Sequence, residues 1–387
     1  MQTFYDTVKD LPPDALDEVV IATVVHVEGS AYRQPAARMV IFADGQSVGM
    51  VSGGCLEKHV VRRAFWLTRH GASLQTYHTD APSADDDLTL DDIEHNFGLG
   101  CQGTVHILFE RLGHAHAAPL LASFAEVMRT RTPQRMATII RSTAHAEHLA
   151  VGRHLALADG TDLTRALALG DGWQLITREP ASRKSRHVIE HWQYTNTAQP
   201  QHISVLVETI EPPPHLVIFG AGQDSAALVQ LAKWQGWHVS VVDARADLAK
   251  PSRLPLADGV RHLALEYIER DAQPVQTLLT AYPKTAVAIL THSLRQDRVW
   301  LKHALTASPL PVYIGQLGPR YRTEQILADL AQDFAKLQPT FAHAQSILHA
   351  PMGLTIGGDT PEAVALSTVA QIQAALSQLD APTVTQS

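Results

Sequence analysis

Two cysteines are the residues of this chain whose type and setting most directly suggest chemistry. Cys55 follows the pair Gly53 and Gly54 in "GMVSGGCLEKHVV", and Cys101 stands between glycines in "FGLGCQGTV". The segment after Cys55 has helical periodicity, so we expect its sulfur at a helix N-terminus, where backbone N–H groups and the helix dipole stabilise a thiolate. A reactive or ligand-contacting thiol is therefore the favoured interpretation of Cys55, over a small buried hydrophobic residue.

Composition and charge exclude several classes of protein. The 387 residues carry a net charge of -8 without a block of Lys or Arg, which argues against nucleic acid or an anionic membrane as the main partner. The opening segment lacks a basic stretch followed by an apolar core, and no apolar run is long enough to span a bilayer. We therefore expect a cytoplasmic protein, in which the two cysteines form neither a structural disulfide nor a zinc site.

A glycine-rich turn in the second half points to nucleotide binding. In "VIFGAGQDSAALV" an apolar strand runs into Gly220 and Gly222, and a helix follows whose N-terminus would face a pyrophosphate. Asp243 closes the next predicted strand, where a ribose-binding carboxylate belongs. Ser225 replaces the third glycine of the motif, so a Rossmann scaffold that binds something other than NAD remains an open alternative.

Further polar residues follow predicted strands or precede helices in the same half. His292 stands at the carboxyl end of "AVAILTH", and Asp297 lies about one turn into the next helix. Arg320 follows the glycine loop of "YIGQLGPRYR", while Gly357 and Gly358 lie in a loop before the final helix. These positions suit an anion such as phosphate, although solvent-exposed arginines and ordinary glycine turns remain the alternative.

The elements that position these residues form two predicted domains. Successive prolines at 212–214 favour a stiff, extended connection, so we expect one domain over 1–210 and another over 211–387. Short strands with few helices predict an α+β first domain with a mixed sheet. Alternating strands and helices in the second domain predict a Rossmann-like, doubly wound parallel sheet of the α/β class. Thr360 and Pro361 are typical of the start of a final helix.

The motifs together resemble the XdhC/CoxI family, the maturation factors of molybdenum hydroxylases such as xanthine dehydrogenase and carbon monoxide dehydrogenase. The first domain contributes "EGSAYRQPAARM", "GMVSGGCLEKHVV" and "GLGCQGTV". The second contributes "HLVIFGAGQDSAALVQLA", "VSVVDAR", "ILTHSLRQD", "VYIGQLGPR" and "APMGLTIGGDTPEAVALS". The likeness covers most of 20–110 and 208–378 and is weak over 115–200.

The resemblance implies a chaperone for molybdenum cofactor rather than an enzyme. Such a protein protects the cofactor, supports its sulfuration with a cysteine desulfurase and inserts it into an apo-hydroxylase. It also implies self-association as a homodimer, and a nucleotide is a further candidate ligand of the Rossmann domain. Cys55 and Cys101 are the expected molybdenum contacts. The other expected cofactor-binding residues are Ser52, Gly53, Gly54, Glu57, Gly103, Gly220, Gly222, Asp243, His292, Asp297, Arg320, Gly357 and Gly358.

Two positions depart from the family pattern. Cys101 is followed by Gln102 and Gly103 where the family has Cys-Gly-Gly, and Pro319 stands where the family has Ser in Gly-Ser-Arg. The second change removes a hydroxyl and an N–H from a candidate anion site.

Two other functions are consistent with the sequence. One is an NAD(P)-dependent oxidoreductase that uses Gly220, Gly222 and Asp243, with His292 as its acid–base group. This alternative leaves the two glycine-flanked cysteines unexplained. The other is an assembly adaptor that docks the desulfurase and the target enzyme without holding cofactor.

Overall fold

The computed structural model divides the chain into two compact units, Met1–Glu211 and Pro212–Ser387. The described residues are 2–54, 56–78, 103–158, 160–183, 185, 187–196, 199–333 and 345–380. Cys55 and Cys101 lie outside this described part of the chain.

The first unit contains two five-stranded sheets. The strands of the first sheet are β1 (Val19–Gly29), β2 (Arg38–Phe42), β3 (Ser47–Gly49), β4 (Ser73–His78) and β5 (Gly103–Arg111). Their spatial order is β3-β2-β1-β5-β4. The strands of the second sheet are β6 (Gln134–Ser142), β7 (His154–Leu157), β8 (Trp173–Pro180), β9 (Val188–Tyr194) and β10 (Gln201–Ile210). Their spatial order is β7-β6-β10-β9-β8.

Four helices lie in the described part of the first unit. They are α1 (Gln2–Val8), α2 (Glu57–Leu67), α3 (Ala118–Thr130) and α4 (Leu163–Ala166). Two 3-10 turns, Pro13–Glu18 and Glu147–Leu149, complete the regular structure described there. The predicted α+β class is therefore confirmed.

The expected mixed sheet is corrected to two antiparallel sheets. Every described strand pair of this unit is antiparallel. A short connection accounts for one of these pairs: Gly45, at φ +85°, turns β2 back into β3, and the backbone N–H of Gln46 donates to Asp44 Oδ1 at 2.9 Å. A tight turn of this kind can join antiparallel strands, whereas parallel neighbours need a long crossover.

Apolar and ionic contacts hold the two sheets of the first unit together. One buried cluster draws Val25 and Leu108 from the first sheet against Ile140, Ile189 and Leu206 from the second. A buried ion pair between Arg38 on β2 and Glu208 on β10 also joins the sheets. A second contact joins Glu110 on β5 to His154 on β7, with 2.8 Å between Oε1 and Nε2. These contacts fix the faces that the two sheets turn toward each other.

The second unit is built on one six-stranded parallel sheet. Its strands are β11 (His215–Phe219), β12 (His238–Asp243), β13 (Gly259–His262), β14 (Thr285–Ile289), β15 (Tyr313–Gln316) and β16 (Leu348–His349). Their spatial order is β13-β12-β11-β14-β15-β16. Counted from β11 as the first strand, this is the 3-2-1-4-5-6 order of dinucleotide-binding folds. The predicted doubly wound sheet is confirmed.

Helices cover both faces of the parallel sheet. They are α5 (Gln223–Trp234), α6 (Leu265–Ile268), α7 (Gln273–Leu279), α8 (Leu294–Leu305), α9 (Arg320–Asp333) and α10 (Pro361–Asp380), with a 3-10 turn at Pro251–Arg253. Along β11, Val217 and Phe219 join one buried cluster while Leu216 and Ile218 join the other. Strands buried on both faces explain the continuous apolar runs in the sequence.

The final helix begins where the sequence predicts. The backbone N–H of Ala363 donates to Thr360 Oγ1 at 3.2 Å, so Thr360 caps α10, and Pro361 occupies its first position. Within the described residues, no helix combines the length and the apolar character needed to cross a membrane.

Candidate functional site

The loop before α2 is braced by two of the predicted site residues, Ser52 and Glu57. Glu57 Oε1 accepts hydrogen bonds from the backbone N–H groups of Val51, at 3.2 Å, and Ser52, at 2.8 Å. The Ser52 hydroxyl donates to Glu57 Oε2 at 2.5 Å and accepts from the N–H groups of Gly54 and Leu56, at 3.3 and 3.1 Å. We call these contacts the Ser52–Glu57 brace. They fix the backbone on both sides of Cys55.

The glycine pair in this loop is exposed. Gly54 has φ +114°, in the left-handed region that side chains other than glycine rarely adopt. A Cβ atom added to Gly53 would stand 3.5 Å from Cγ of Tyr32, in ordinary contact with a ring that is itself exposed. The backbone requirement at Gly54 and the exposure of both residues agree with a loop that a ligand can approach.

Gly103, the first residue of β5, is packed tightly against the end of β1. A Cβ atom there would lie 2.3 Å from the carbonyl oxygen of Ser30 and 2.7 Å from that of Glu28, so only glycine fits. The segment 28–32 thus contacts both Gly53, which precedes Cys55 in the sequence, and Gly103, which follows Cys101. The motif "EGSAYRQPAARM" supplies that segment. Its link to the two cysteine motifs was not evident from the sequence.

In the second unit, the glycine loop between β11 and α5 packs against the end of β14. Gly220 has φ +114°, and a Cβ atom there would lie 2.9 Å from the Leu290 carbonyl. Gly222 is the N-cap of α5, and a Cβ atom on it would meet no described atom within 4 Å. Ser225 fits in place of the third glycine because it is fully buried and donates to the Gly222 carbonyl at 2.6 Å. The N-terminus of α5 therefore has open space beside it.

Asp243 is committed to contacts within the protein. Its oxygens accept from the backbone N–H groups of Ala221 and Arg245, both at 2.8 Å, and from Nε and Nη2 of Arg245 at 3.0 and 2.9 Å. Burial opposes ionisation, but the hydrogen bonds from Arg245 and Ala221 outweigh it and hold the pKa of Asp243 below its ordinary value. Four bonds fill the acceptor capacity of a carboxylate. The ribose contact predicted from the sequence would have to replace one of these bonds.

His292 lies at the point where the strand order of the sheet reverses. It follows β14, its side chain is 73% exposed, and its Nε2 is 3.6 Å from Oδ2 of Asp224 in the first turn of α5. β11 and β14 are the neighbours from which the sheet extends in opposite directions, and ligands of such sheets bind beyond the strand ends there. His292, Gly220 and Gly222 are thus brought together at one edge of the second unit.

Asp297 lies at the centre of a buried polar network. It accepts hydrogen bonds from the Thr291 hydroxyl and from Gln316 Nε2, the latter at 3.2 Å, and forms an ion pair of 2.6 Å with Arg322. Gln316 in turn accepts from Thr323 at 3.1 Å. Burial is the largest influence and raises the pKa of Asp297 above its ordinary value, against the opposing effects of Thr291 and Arg322. Asp297 therefore ties β14, β15, α8 and α9 together.

The parts played by Gln316 and Thr323 in this network were not predicted from the sequence. The polar Gln316 at the end of the apolar run "PVYIGQ" is the feature that could have indicated the network. Similarly, the arginine two residues after the aspartate in "VVDAR" could have indicated that Arg245 is the partner of Asp243.

Arg320 and the last glycine pair lie in exposed positions. The Arg320 side chain is 80% exposed, and its Nε is 3.1 Å from Oε1 of Glu324 one turn further along α9. Gly357 and Gly358 have φ +85° and +88°, and a Cβ atom on Gly358 would lie 2.6 Å from that of Ala363. Both glycines are thus required by the backbone of the loop that enters α10.

Comparison with known proteins matches each unit separately. Residues 14–78 match the model of the XdhC and CoxI family, and residues 216–372 match that of the XdhC Rossmann domain. The first match includes Cys55, and the second includes every site residue predicted in the second unit.

Curated relatives and a solved structure agree with these matches. A Bacillus subtilis (strain 168) protein, named as a probable subunit of xanthine dehydrogenase, is 27% identical over 375 residues, which are 95% of this chain and 96% of that protein. The uncharacterized protein YqeB of Escherichia coli (strain K12) is 25% identical over 175 residues, 44% of this chain and 29% of that protein. A crystal structure described as a xanthine dehydrogenase from Bacillus halodurans shares the fold, with a TM-score of 0.66 at 23% identity over 97% of this chain and 96% of that one. The chain belongs to the XdhC/CoxI family.

Proposed function

We propose that this protein is a chaperone for molybdenum cofactor. It protects the cofactor, supports its sulfuration with a cysteine desulfurase, and inserts it into a hydroxylase of the xanthine dehydrogenase or carbon monoxide dehydrogenase type. Membership of the XdhC/CoxI family supports this role, and the Bacillus subtilis relative, whose name refers to xanthine dehydrogenase, agrees with such a client.

The observation that carries the proposal is the Ser52–Glu57 brace. A thiolate suits a soft metal centre, and a ligand that must hold and then release a cargo works best on a backbone fixed in advance. The brace fixes the loop around Cys55 through five hydrogen bonds. The exposed Gly53 and Gly54 leave room for a bulky pterin beside it. Cys55, together with Cys101, is the proposed contact to molybdenum or its sulfur ligand.

The second unit offers a place for a phosphate group. The backbone N–H groups at the start of α5 are beside open space at Gly222, and a helix N-terminus attracts anions. His292 lies next to them, and its exposed ring is accessible to a ligand. We propose that these groups hold the phosphate of the cofactor or of a nucleotide.

The oxidoreductase alternative is less consistent with the structure. NAD binding in this fold uses the carboxylate at the end of the second strand to bind the ribose hydroxyls. Here that residue is Asp243, which would have to give up bonds to Ala221 or Arg245. We therefore expect no saturable turnover when the purified protein is titrated with NADH and candidate substrates.

Activation of a molybdenum hydroxylase tests the proposed function. Purified apo-hydroxylase is incubated with molybdenum cofactor, a cysteine desulfurase and either the wild-type protein, Cys55→Ser or Cys101→Ser. The wild type should raise hydroxylase activity well above the level without it, and Cys55→Ser should not. Equal activation by wild type and Cys55→Ser, with both proteins folded by circular dichroism, would overturn the role of Cys55. Activation without any dependence on bound cofactor would instead support the assembly adaptor.

A further inference from the structure

A polar cavity of about 150 Å³ lies between the two sheets of the first unit. The first sheet contributes His26, Glu28 and His106 to its wall, and the second contributes Arg141, Glu179 and His191. The proposed chaperone function uses none of these residues. The cavity therefore brings together imidazole and carboxylate groups that have no role in the proposed function.

A shift in strand register brings the first three residues together. β1 and β5 pair Val24 with Ile107, and the next pair is His26 with His106, so that an irregularity at Val25 puts the two histidines opposite each other. Their rings stack with centroids 5.1 Å apart and planes inclined by 16°. Glu28 lies two residues beyond His26 and therefore on the same face of β1.

The donor atoms of the three side chains converge. Oε1 of Glu28 is 2.8 Å from Nε2 of His106 and 3.9 Å from Nδ1 of His26. One donor atom from each residue lies within 4.8 Å of the other two. Zinc bonds of about 2.0–2.2 Å in tetrahedral geometry would put such donors roughly 3.4 Å apart. That separation lies between the observed distances from Glu28 Oε1, which are 2.8 Å to His106 and 3.9 Å to His26.

We propose that His26, Glu28 and His106 form a binding site for a divalent transition-metal ion, with Zn²⁺ as the ion that best fits the donor set. Two imidazoles and one carboxylate are a known zinc ligand set that leaves a fourth position for water or another ligand. The fourth position would face the cavity, where His191 and Glu179 of the second sheet lie.

The surroundings of the histidines suit this role. His106 is buried and His26 is partly buried, and burial favours the neutral imidazole that binds a metal. The Glu28 side chain is 60% exposed, so an ion can reach the site from solvent.

Binding of the ion requires a change of partner at His106. At present Nδ1 of His106 is 3.2 Å from Nη2 of Arg141, which can only donate, and 3.0 Å from the Thr76 hydroxyl. For Nε2 to bind a metal, the imidazole proton must move to Nδ1 and be donated to Thr76 Oγ1, as an outer partner of a metal-bound histidine. Arg141 must then withdraw, and it is free to do so because its side chain is exposed. Arg141 therefore competes with the metal.

A second histidine–carboxylate pair in the same unit provides a matched control. His154 Nε2 lies 2.8 Å from Glu110 Oε1, and His154 Nδ1 lies 2.9 Å from the Thr138 hydroxyl, which repeats the contacts of His106. Among the described residues, however, only His26, Glu28 and His106 form a group of three donors. Loss of His154 should therefore leave metal binding intact.

Metal titration of the full-length protein tests the inference. Chelator-treated protein is titrated with Zn²⁺ in competition with a chromophoric chelator, and with Co²⁺ as a visible-absorption probe. The wild type should bind one ion, and His26→Gln or His106→Gln should weaken binding by more than the ~10–100-fold typical of losing an outer partner. Arg141→Gln should tighten binding. His154→Gln and His78→Gln, the latter an exposed histidine on β4, should match the wild type.

Three outcomes would overturn the proposal: no binding by the wild type, unchanged binding by folded His26→Gln, or loss of binding in the Cys55→Ser/Cys101→Ser double variant. His26 is partly exposed, so we expect His26→Gln to fold even if His106→Gln does not. The test then depends on His26→Gln. The double variant also separates this site from the proposed cargo site, since the metal inference does not depend on the cysteines.

Discussion

At the scale of single residues, the Ser52–Glu57 brace explains why a serine and a glutamate flank the cysteine motif. Both residues are predicted to contact cofactor, and in the structure they are bonded to each other and to the loop backbone. Their effect on a ligand would be indirect, through the position of the loop. Substitution of either residue should therefore lower both the stability of the protein and its retention of cofactor.

The brace predicts the effect of two substitutions. Ser52→Ala and Glu57→Gln should each lower the free energy of unfolding by about 1–3 kcal/mol, because backbone N–H groups lose their acceptor or its charge. Both should also reduce retention of molybdenum cofactor. Denaturant unfolding measures the first effect and molybdenum content after gel filtration the second.

Glu126→Gln is the control for the brace, since Glu126 makes an exposed pair with Arg129 that should contribute less than about 1 kcal/mol. If the brace variants were no less stable than Glu126→Gln, the positioning role would be wrong.

Asp243 predicts a dependence of stability on pH. Its pKa is lower in the folded protein than in the unfolded chain, so its stabilising contribution is present above the unfolded value of about 3.9 and is lost as the pH falls through the lower, folded value. Asp243→Asn should cost about 1–3 kcal/mol at neutral pH, since the N–H groups of Ala221 and Arg245 lose their charged acceptor while the Arg245 side chain is partly exposed to solvent. The difference from wild type should shrink below about pH 4. Urea unfolding at several pH values measures it, and a difference that stays constant down to pH 2 would contradict this account.

How far the sequence predicts the site depends on the kind of contact involved. Gly220 and His292 follow strand ends, and the strand pattern alone put them at one edge of the sheet. The bonds of Asp243 and Asp297 depend instead on side-chain directions at neighbouring strand ends, which no local pattern specifies. The two cysteines lie outside the described residues, so their predicted contacts stay predictions.

At the scale of secondary-structure elements, the parallel sheet was predictable and the antiparallel sheets were predicted only in part. Alternation of strands and helices predicts a parallel sheet, because two neighbouring parallel strands must be joined by a crossover long enough to contain a helix. In the first unit, the sequence predicted short strands. Their pairing was not predicted, because β1 pairs with β5 across a long stretch of sequence. Local patterns carry no information on such a distant partner.

The contact between β2 and β10 gives a prediction at this scale. Arg38 and Glu208 are a buried ion pair that joins the two sheets of the first unit. Glu208→Gln should lower the free energy of unfolding by about 3–5 kcal/mol, because it leaves the arginine charge buried without a partner. The double variant Arg38→Met/Glu208→Leu should recover most of that loss.

The control for this pair is Arg178→Gln on the second sheet, where Arg178 is largely exposed and 3.5 Å from Glu190. It should cost less than about 1 kcal/mol. Equal stability of Glu208→Gln and Arg178→Gln in chemical denaturation would show that the buried pair does not hold the sheets together.

At the scale of the whole molecule, each unit contains its own cluster of chemically useful groups. The first has the braced loop before α2 and the histidine–glutamate cavity between its sheets. The second has the glycine loop, the α5 N-terminus and His292 at the edge of the parallel sheet. The sequence motifs indicated both units, but the cavity residues lie too far apart in the chain to be grouped without the structure. A carrier of an anionic metal cofactor needs both soft-ligand and anion-binding groups, and this chain has candidates for each.

The most direct test of the central claim is the molybdenum content of the protein after gel filtration with excess molybdenum cofactor. Wild type and Glu126→Gln should retain the cofactor to the same extent, and Cys55→Ser should lose most of it while its circular dichroism spectrum is unchanged. If folded Cys55→Ser retained as much molybdenum as the wild type, the proposal that this thiol holds the cargo would be wrong.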